Sequence, residues 1–433
     1  MSNDPGEGAN PFKGTPFEQF FSGGAPDLSQ LFSQLQALMQ PYDGPLNWDV
    51  ALDMARKQAA SRPDPTPTQR QREAVDDALR LADHWLDAAT DFPSGVTATA
   101  AWSRAEWIVG TTEVWKGLVE PIAASSVNAL SAAMPQQAQQ AMAGPFLGML
   151  QRAVGAMLAT QIGSGLGALA GEVLTGSDIG LPLTTRGTAA LVPTNVAAFA
   201  DGLDVSRDDV LLYLALREAA HQRLFAHVPW LREHLIGAVT AYARGLEINT
   251  ANLQANIQEQ MTGLDPTNPE ALQRLMQGGM FEMDQTPEQQ AALQRLEVTL
   301  ALVEGWVDEV VGQATEERMP TAARLQEAVR RRRASGGPAE QTFASLVGLE
   351  LRPRRLRDAS TLWGSLRTRQ GTEARDGVWM HPDLLPTAAD LDDPLGFREG
   401  ASAPESLSDE EFEAGLRDLL EGPSGDDDPS REE

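Results

Sequence analysis

The chain has 433 residues, enough for one large domain or two ordinary ones, and its 42 % hydrophobic and 22 % charged residues are typical of a globular protein. Cysteine is absent, which excludes disulfide bonds, thiolate metal sites and cysteine nucleophiles and suits a reducing compartment. The formal net charge of −27 repels phosphate backbones, so we expect no nucleic-acid partner. The N-terminus has neither the basic start nor the apolar core of a signal peptide, and we predict a cytoplasmic location.

Composition divides the chain into three regions. Residues 1–44 are rich in Gly, Pro, Ser and Gln, which predicts a disordered N-terminal arm. Residues 45–397 have helical patterning over most of their length and are predicted to form one mainly α domain. Residues 398–433 contain 13 acidic and three basic residues, which predicts a disordered acidic tail.

Apolar residues recur at three- and four-residue steps along the central region. Ser206 is a predicted N-cap, and the helix that follows it should end before Pro229. The other predicted helices are 47–60, 69–89, 101–117, 119–133, 136–142, 145–173, 231–261, 269–278, 287–315, 321–333, 338–347 and 353–369. The main strand signal is Leu181–Asn195, where β-branched residues surround an Arg-Gly turn, and it predicts a small hairpin or edge strands.

The segment Ala153–Gly171 contains no charged residue, and small residues recur in it at every fourth position. This spacing lines one helical face with almost no side chain, as in closely packed membrane helices. A membrane-associated protein is therefore one alternative. Because the segment is only weakly apolar and charged residues flank it closely, we instead predict a buried helix packed tightly against another helix, with no stable membrane insertion.

The most informative motif lies in the helix after Ser206 and reads REAAH, from Arg217 to His221. Zinc peptidases of the HExxH type place two histidines one helical turn apart on the metal, and the glutamate beside the first histidine is the general base. Here Glu218 and His221 match that pattern, but Arg217 stands at the first histidine position. A guanidinium stays protonated and offers no lone pair to a metal.

A second acidic motif, Glu304 to Asp308 in the sequence EGWVD, lies on a later predicted helix. Its two acids are one helical turn apart. In zinc peptidases of this type, a second helix supplies one acid to the metal and another that orients a ligand.

Longer stretches around these motifs add to the pattern: REAAHQRLFAHVPWLREHL, VEGWVDEVV, RRRRASGGPAEQTFASLVGLELRPRRLRDA and HPDLLPTAADLDDP. Together they resemble the zincin-like metallopeptidase type 2 family, a group of actinobacterial proteins described as hydrolases, over about residues 47–397. The resemblance implies a mostly helical zincin fold. It also implies zinc as cofactor, with His221 and Glu304 as ligands, Glu218 as the general base and Asp308 behind the ligands.

The arginine at position 217 suggests a structure of its own. If the two motif helices face each other, the guanidinium can occupy the place of the metal and form bidentate hydrogen bonds with a carboxylate among Glu218, Glu304 and Asp308. We therefore predict a metal-free ion-pair site and a weak or inactive peptidase that acts as a binding or regulatory scaffold for an unidentified protein or peptide. The alternative is an active zinc peptidase with a substitute ligand.

The remaining histidines and a basic run have simpler interpretations. His227 and His234 are candidate substitute ligands, but Pro229 between them favours positions at helix ends. His381 lies in a proline-broken acidic loop and is a weak candidate. The run Arg330–Arg333 indicates either a phosphate or nucleic-acid site or a docking face for acidic groups, such as the chain's own tail, and the overall charge favours the second.

Overall fold

The computed structural model describes residues 42–132, 145–242, 286–335 and 355–398. In these residues the fold is mainly α with one small sheet, as the sequence predicts. The helices are α1 Trp48–Ala59, α2 Gln69–Leu86, α3 Arg104–Ala132, α4 Pro145–Ala170, α5 Pro193–Ala200, α6 Arg207–His227, α7 Pro287–Thr315, α8 Ala322–Ser335, α9 Leu356–Gly377 and α10 Ala388–Asp392. The strands are β1 Ala98–Ala101 and β2 Thr188–Leu191, and residues 231–242 are also helical.

Local capping fixes where the two motif helices begin. The Ser206 side chain accepts a hydrogen bond from the Asp209 amide at 3.0 Å, which confirms Ser206 as the N-cap of α6. A capping box between Thr286 and Gln289 starts α7, with Pro287 in the first turn, where its missing N–H is not needed.

Helix α3 is continuous, although the sequence predicts two helices, 101–117 and 119–133. Pro121 lies inside it and removes one backbone hydrogen bond. Leu118, Val119 and Ile122 around the proline are buried in the core. The packing of these side chains outweighs the local cost, so the prediction of a break was wrong.

The small sheet is parallel. Ala98 of β1 pairs with Thr188 of β2, and the register continues to Ala101 and Leu191. The predicted segment 181–195 therefore supplies a strand but no hairpin, because its partner comes from ATAA, whose alanines give no strand signal. On the other side of β2, residues 174–176 form an antiparallel bridge through Thr175 and Leu191.

The glycines of α4 pack against α1. A Cβ on Gly163 would lie 2.2 Å from the Ala51 carbonyl oxygen, and one on Gly167 would lie 2.4 Å from the Ala55 carbonyl oxygen. This contact confirms the close-packing interpretation of the small-residue repeat. Within the four described ranges, no helix has the length and apolar character that a membrane crossing requires.

Helices α6 and α7 form the centre of the molecule. Residues 213–224 of α6 and 299–308 of α7 are buried without exception. A helix buried on all sides has no polar face, so every charge on these segments has to find a partner inside the protein.

Several predictions lie outside the described residues. These are the helices 136–142, 269–278 and 338–347, the arm 1–44 except its last three residues, and the acidic tail beyond residue 398.

Candidate functional site

The two motifs meet where α6 packs against α7, as predicted. Arg217 and His221 on α6 are 4 % and 1 % exposed. Glu304 and Asp308 on α7 are both 0 % exposed. The tight approach of α7 to α9 depends on Gly305, because a Cβ there would lie 2.5 Å from the Ala359 Cβ. The glycine of the EGWVD motif is therefore a packing requirement.

Glu304 is the centre of the site. Its Oε2 accepts a hydrogen bond from Arg217 Nη2 at 2.5 Å. Its Oε1 lies 3.0 Å from His221 Nε2 and accepts a hydrogen bond from Arg333 Nη2 at 2.9 Å. Both carboxylate oxygens are thus held by side chains of this protein.

Asp308 forms the second half of the network. Its Oδ2 accepts hydrogen bonds from Arg330 Nη2 at 2.5 Å, Ser360 Oγ at 2.9 Å and Gln326 Nε2 at 3.1 Å. Its Oδ1 lies 3.7 Å from Arg217 Nη1, and these two buried atoms have no hydrogen-bond partner among the described residues. Arg217 therefore lies between the two acids but donates a hydrogen bond only to Glu304.

The arginine run on α8 is part of this site, which the sequence analysis missed. Arg330 and Arg333 bind acidic groups, as one of the two interpretations of the run expects, and these groups are acids of α7 inside the protein. A signal was present: Leu325 and Val329 are buried at four-residue steps, and Arg333 continues the same stripe. Arg331, by contrast, forms an exposed ion pair with Glu327.

Glu218 is not part of the Arg217 network, although the sequence predicted a shared cavity. Its carboxylate accepts hydrogen bonds from the Ser177 amide at 3.0 Å and from Gln222 Nε2 at 3.1 Å. Complete burial raises the pKa of Glu218, and these hydrogen bonds offset only part of that effect. The residue lies one turn from His221, but it faces the chain segment before β2.

That segment, residues 174–183, closes the site. Asp178 Oδ1 lies 3.6 Å from Arg333 Nη2, and Asp178 Oδ2 accepts a hydrogen bond from the Leu174 amide at 3.0 Å. Gly180 has a φ of +77°, and a Cβ there would lie 3.1 Å from Glu304 Oε1. A glycine is thus required both for the backbone conformation and for the close approach to the carboxylate.

Arginines and acids alternate in the network. Arg217, Arg330 and Arg333 face Glu304, Asp308 and Asp178. Arg332 also lies 3.7 Å from Asp178 Oδ2. Burial alone would raise the pKa of Glu304, but Arg333, Arg217 and His221 outweigh it and lower the pKa to about 2. Burial opposes the charge of Arg217, yet Glu304, Tyr213 and Asp308 raise its pKa above the ordinary value.

The residues present do not fit a zinc ion. Structural and catalytic zinc sites use at least three protein ligands, and no group of three His, Asp or Glu side chains in the described parts of the chain could hold a metal. His221 Nε2, the nitrogen that a metal would need, lies 3.0 Å from Glu304 Oε1. The guanidinium of Arg217 already supplies the positive charge beside Glu304.

The other histidines lie elsewhere. His227 stacks on Phe92, and its Nδ1 lies 2.8 Å from the Arg223 carbonyl oxygen. His234 packs edge-on against Trp230, and His381 is exposed and caps a short 3-10 helix. None of the three is in contact with Glu304 in the described structure.

The chain is similar to known proteins over most of its length. A family model described as zincin-like metallopeptidase matches residues 46–397. A crystal structure from Chloroflexus aurantiacus, titled "a putative hydrolase with a novel fold", has a TM-score of 0.57 and 20 % sequence identity. The match covers 81 % of this chain and 96 % of that chain, and at this identity it shows the fold alone. No curated protein gives a match.

Proposed function

The chain belongs to the family of zincin-like metallopeptidases, and we propose that it is a member in which an internal salt-bridge network has replaced the zinc site. The observation that supports this most directly is the hydrogen bond from Arg217 to Glu304 at 2.5 Å, beside His221. A positive side chain there provides for Glu304 what a metal provides in a zinc peptidase: a charge partner within the protein.

The arrangement of Glu218 supports the same proposal. A general base has to reach the water that it activates. Glu218 is completely buried, and its oxygens accept hydrogen bonds from Ser177 and Gln222. Both carboxylate oxygens of Glu218 therefore have hydrogen-bond donors within the protein, without a metal or a bound water.

We further propose that the protein acts by binding a protein or peptide partner in the cytoplasm, and that it does not hydrolyse peptides. The ionic network joins α6, α7, α8 and the segment before β2, so these elements need no metal to hold them together. Binding of a partner would therefore not depend on peptide hydrolysis.

The test is thermal melting and metal content of wild type and Arg217→His, each with zinc and with a chelator. The substitution restores two histidines one turn apart, with Glu304 as the third ligand. We expect wild type to contain clearly less than one equivalent of zinc and to melt identically in zinc and in chelator. We expect zinc to raise the melting temperature of Arg217→His, because a ligand that binds only the native state stabilises it.

Arg217→Gln is the matched control. It removes the same guanidinium from Glu304 but supplies no imidazole for a metal. It should lose stability without gaining any response to zinc. Wild type that copurifies with stoichiometric zinc and shows chelator-sensitive peptidase activity would overturn the proposal in favour of a working metal site with another ligand.

A further inference from the structure

The outer edge of β1 is open at the surface of the described structure. The sheet has only two strands in these residues, and β2 covers one side of β1. The amides of Ala98 and Trp102 donate to the Gly187 and Leu191 carbonyl oxygens on the β2 side. Because alternate residues of a strand direct their backbone groups to opposite sides, those of Thr99 and Ala101 point away from β2.

A groove of about 560 Å³ lies along this edge. Its walls are β1, the first turns of α2 and the start of α3, and its floor includes Trp102, whose ring packs over Gly110. The charged side chains that line it are Arg72, Glu73, Asp76 and Glu106. We call this feature the β1 groove.

The β1 groove is net negative. Of its three acids, Asp76 accepts a hydrogen bond from Thr99 and forms an ion pair with Arg80. Glu73 accepts a hydrogen bond from Gln69, and Glu106 accepts one from the Ser103 amide. Neither Glu73 nor Glu106 has a cationic partner among the residues that the structure describes.

We propose that the β1 groove binds an extended segment of another protein that carries lysine or arginine side chains, and that this segment adds to β1 as a third strand. The backbone groups of Thr99 and Ala101 supply main-chain hydrogen bonds, and the acids attract the basic side chains. The β1 groove shares no lining residue with the network around Arg217, so a test of this proposal does not depend on whether the protein binds zinc.

None of the chain's segments outside the described residues is net basic. The stretches 1–41, 243–285 and 399–433 are net acidic, 133–144 carries no charge, and 336–354 carries two acids and two arginines. An acidic segment would meet the like charge of Glu73, Asp76 and Glu106. Charge complementarity therefore favours a separate basic partner.

The probe is a fluorescein-labelled peptide of alternating lysine and valine, six residues long, measured by fluorescence anisotropy. A protein of net charge −27 attracts any basic peptide, so attraction alone decides nothing. The decisive variant is Ala101→Pro, which leaves the charge unchanged and removes only an N–H that points away from β2. We expect it to weaken binding at least tenfold.

Two further measurements keep the test sharp if Ala101→Pro fails to fold. The same peptide with every backbone nitrogen methylated has no N–H to donate on either edge of the strand and should bind wild type at least tenfold more weakly. Glu73→Gln should weaken the unmodified peptide about threefold, whereas Glu113→Gln, an exposed acid farther along α3 that pairs with Lys116, should leave its affinity unchanged. Equal binding of the methylated and unmodified peptides, or no binding to wild type, would overturn the proposal.

Discussion

Two buried ionic clusters touch α7 within one turn of each other, and they are built differently. Asp376, 3 % exposed, accepts hydrogen bonds from Arg375 Nε at 2.8 Å, Trp306 Nε1 at 2.8 Å, Thr90 Oγ1 at 2.6 Å and the Asp91 amide at 2.9 Å. The Asp376 cluster leaves neither carboxylate oxygen without a partner.

The network around Arg217 is less complete. Arg217 Nη1 and Asp308 Oδ1 are buried 3.7 Å apart, too far for a hydrogen bond. A cluster that only holds the fold together is expected to satisfy each polar atom, because an orphaned buried group costs about 1–3 kcal/mol. The Asp376 cluster is therefore the better satisfied of the two, as expected for a cluster that serves stability. The proposed replacement of a metal by Arg217 would account for the less complete hydrogen bonding of the other network.

The largest effect is expected for Asp376→Ala. The substitution removes the acceptor of five hydrogen bonds, two of them from Arg375. It leaves the Arg375 guanidinium buried without its carboxylate, which costs about 3–5 kcal/mol. Urea unfolding at neutral pH measures it. Asp77→Ala, which removes an exposed partner of Arg80, is the control and should change the unfolding midpoint little. A small loss for Asp376→Ala would show that the cluster does not hold the fold.

Glu304→Gln should destabilise the protein next most strongly. The glutamine oxygen still accepts one hydrogen bond, but Arg217 and Arg333 lose their shared charge, so we expect a loss near the lower end of about 3–5 kcal/mol. The same unfolding experiment applies, with Glu309→Gln on the same helix as the control, since Glu309 pairs with the partly exposed Arg367. If Glu304→Gln is as stable as wild type, the negative charge of Glu304 does not stabilise the folded protein.

Acidification should bring the stability of wild type closer to that of Glu304→Gln. The pKa of Glu304 is about 2 in the folded protein, below its ordinary value of 4.5. A lowered pKa adds stability that is complete above about pH 4.5 and is lost as the pH falls toward 2. The stability difference between wild type and Glu304→Gln should therefore shrink between about pH 5 and pH 3. A difference that stays constant over that range would contradict the assignment.

The smallest effect is expected for Glu218→Gln. Burial raises the pKa of Glu218, so the folded protein favours its neutral form. Stability from a raised carboxyl pKa is present at low pH and is lost as the pH rises through the folded-state pKa. Glutamine is permanently neutral and keeps an oxygen for Ser177, so the variant should melt at or above the wild-type temperature at about pH 8. A lower melting temperature at that pH would show that Glu218 works as a charged group.

Part of the site could be predicted from the sequence. The spacing of Glu218 and His221, and that of Glu304 and Asp308, placed each pair on one turn of a helix, and the structure brings the two helices together. The roles of Arg330, Arg333 and Asp178 could not be predicted in the same way. Arg330 and Arg333 reach the acids of α7 from α8, and Asp178 reaches Arg333 from the segment before β2. The apolar stripe of α8 indicates which arginine turns inward, but not which carboxylate it meets.

What the sequence by itself determined is most of the described helices, the Ser206 cap and the arginine at position 217, because these follow from periodicity, capping residues and residue chemistry within short windows. Only the tertiary structure decided which charges pair. Burial of α6 and α7 on all sides forces each charge to find a partner, and the choice depends on the distances at which α8 and the segment 174–183 pack against them. The tertiary structure also decided that Glu218 contacts Ser177 and Gln222. The position of a residue on a helix fixes the direction of its side chain, but not which element packs against that side.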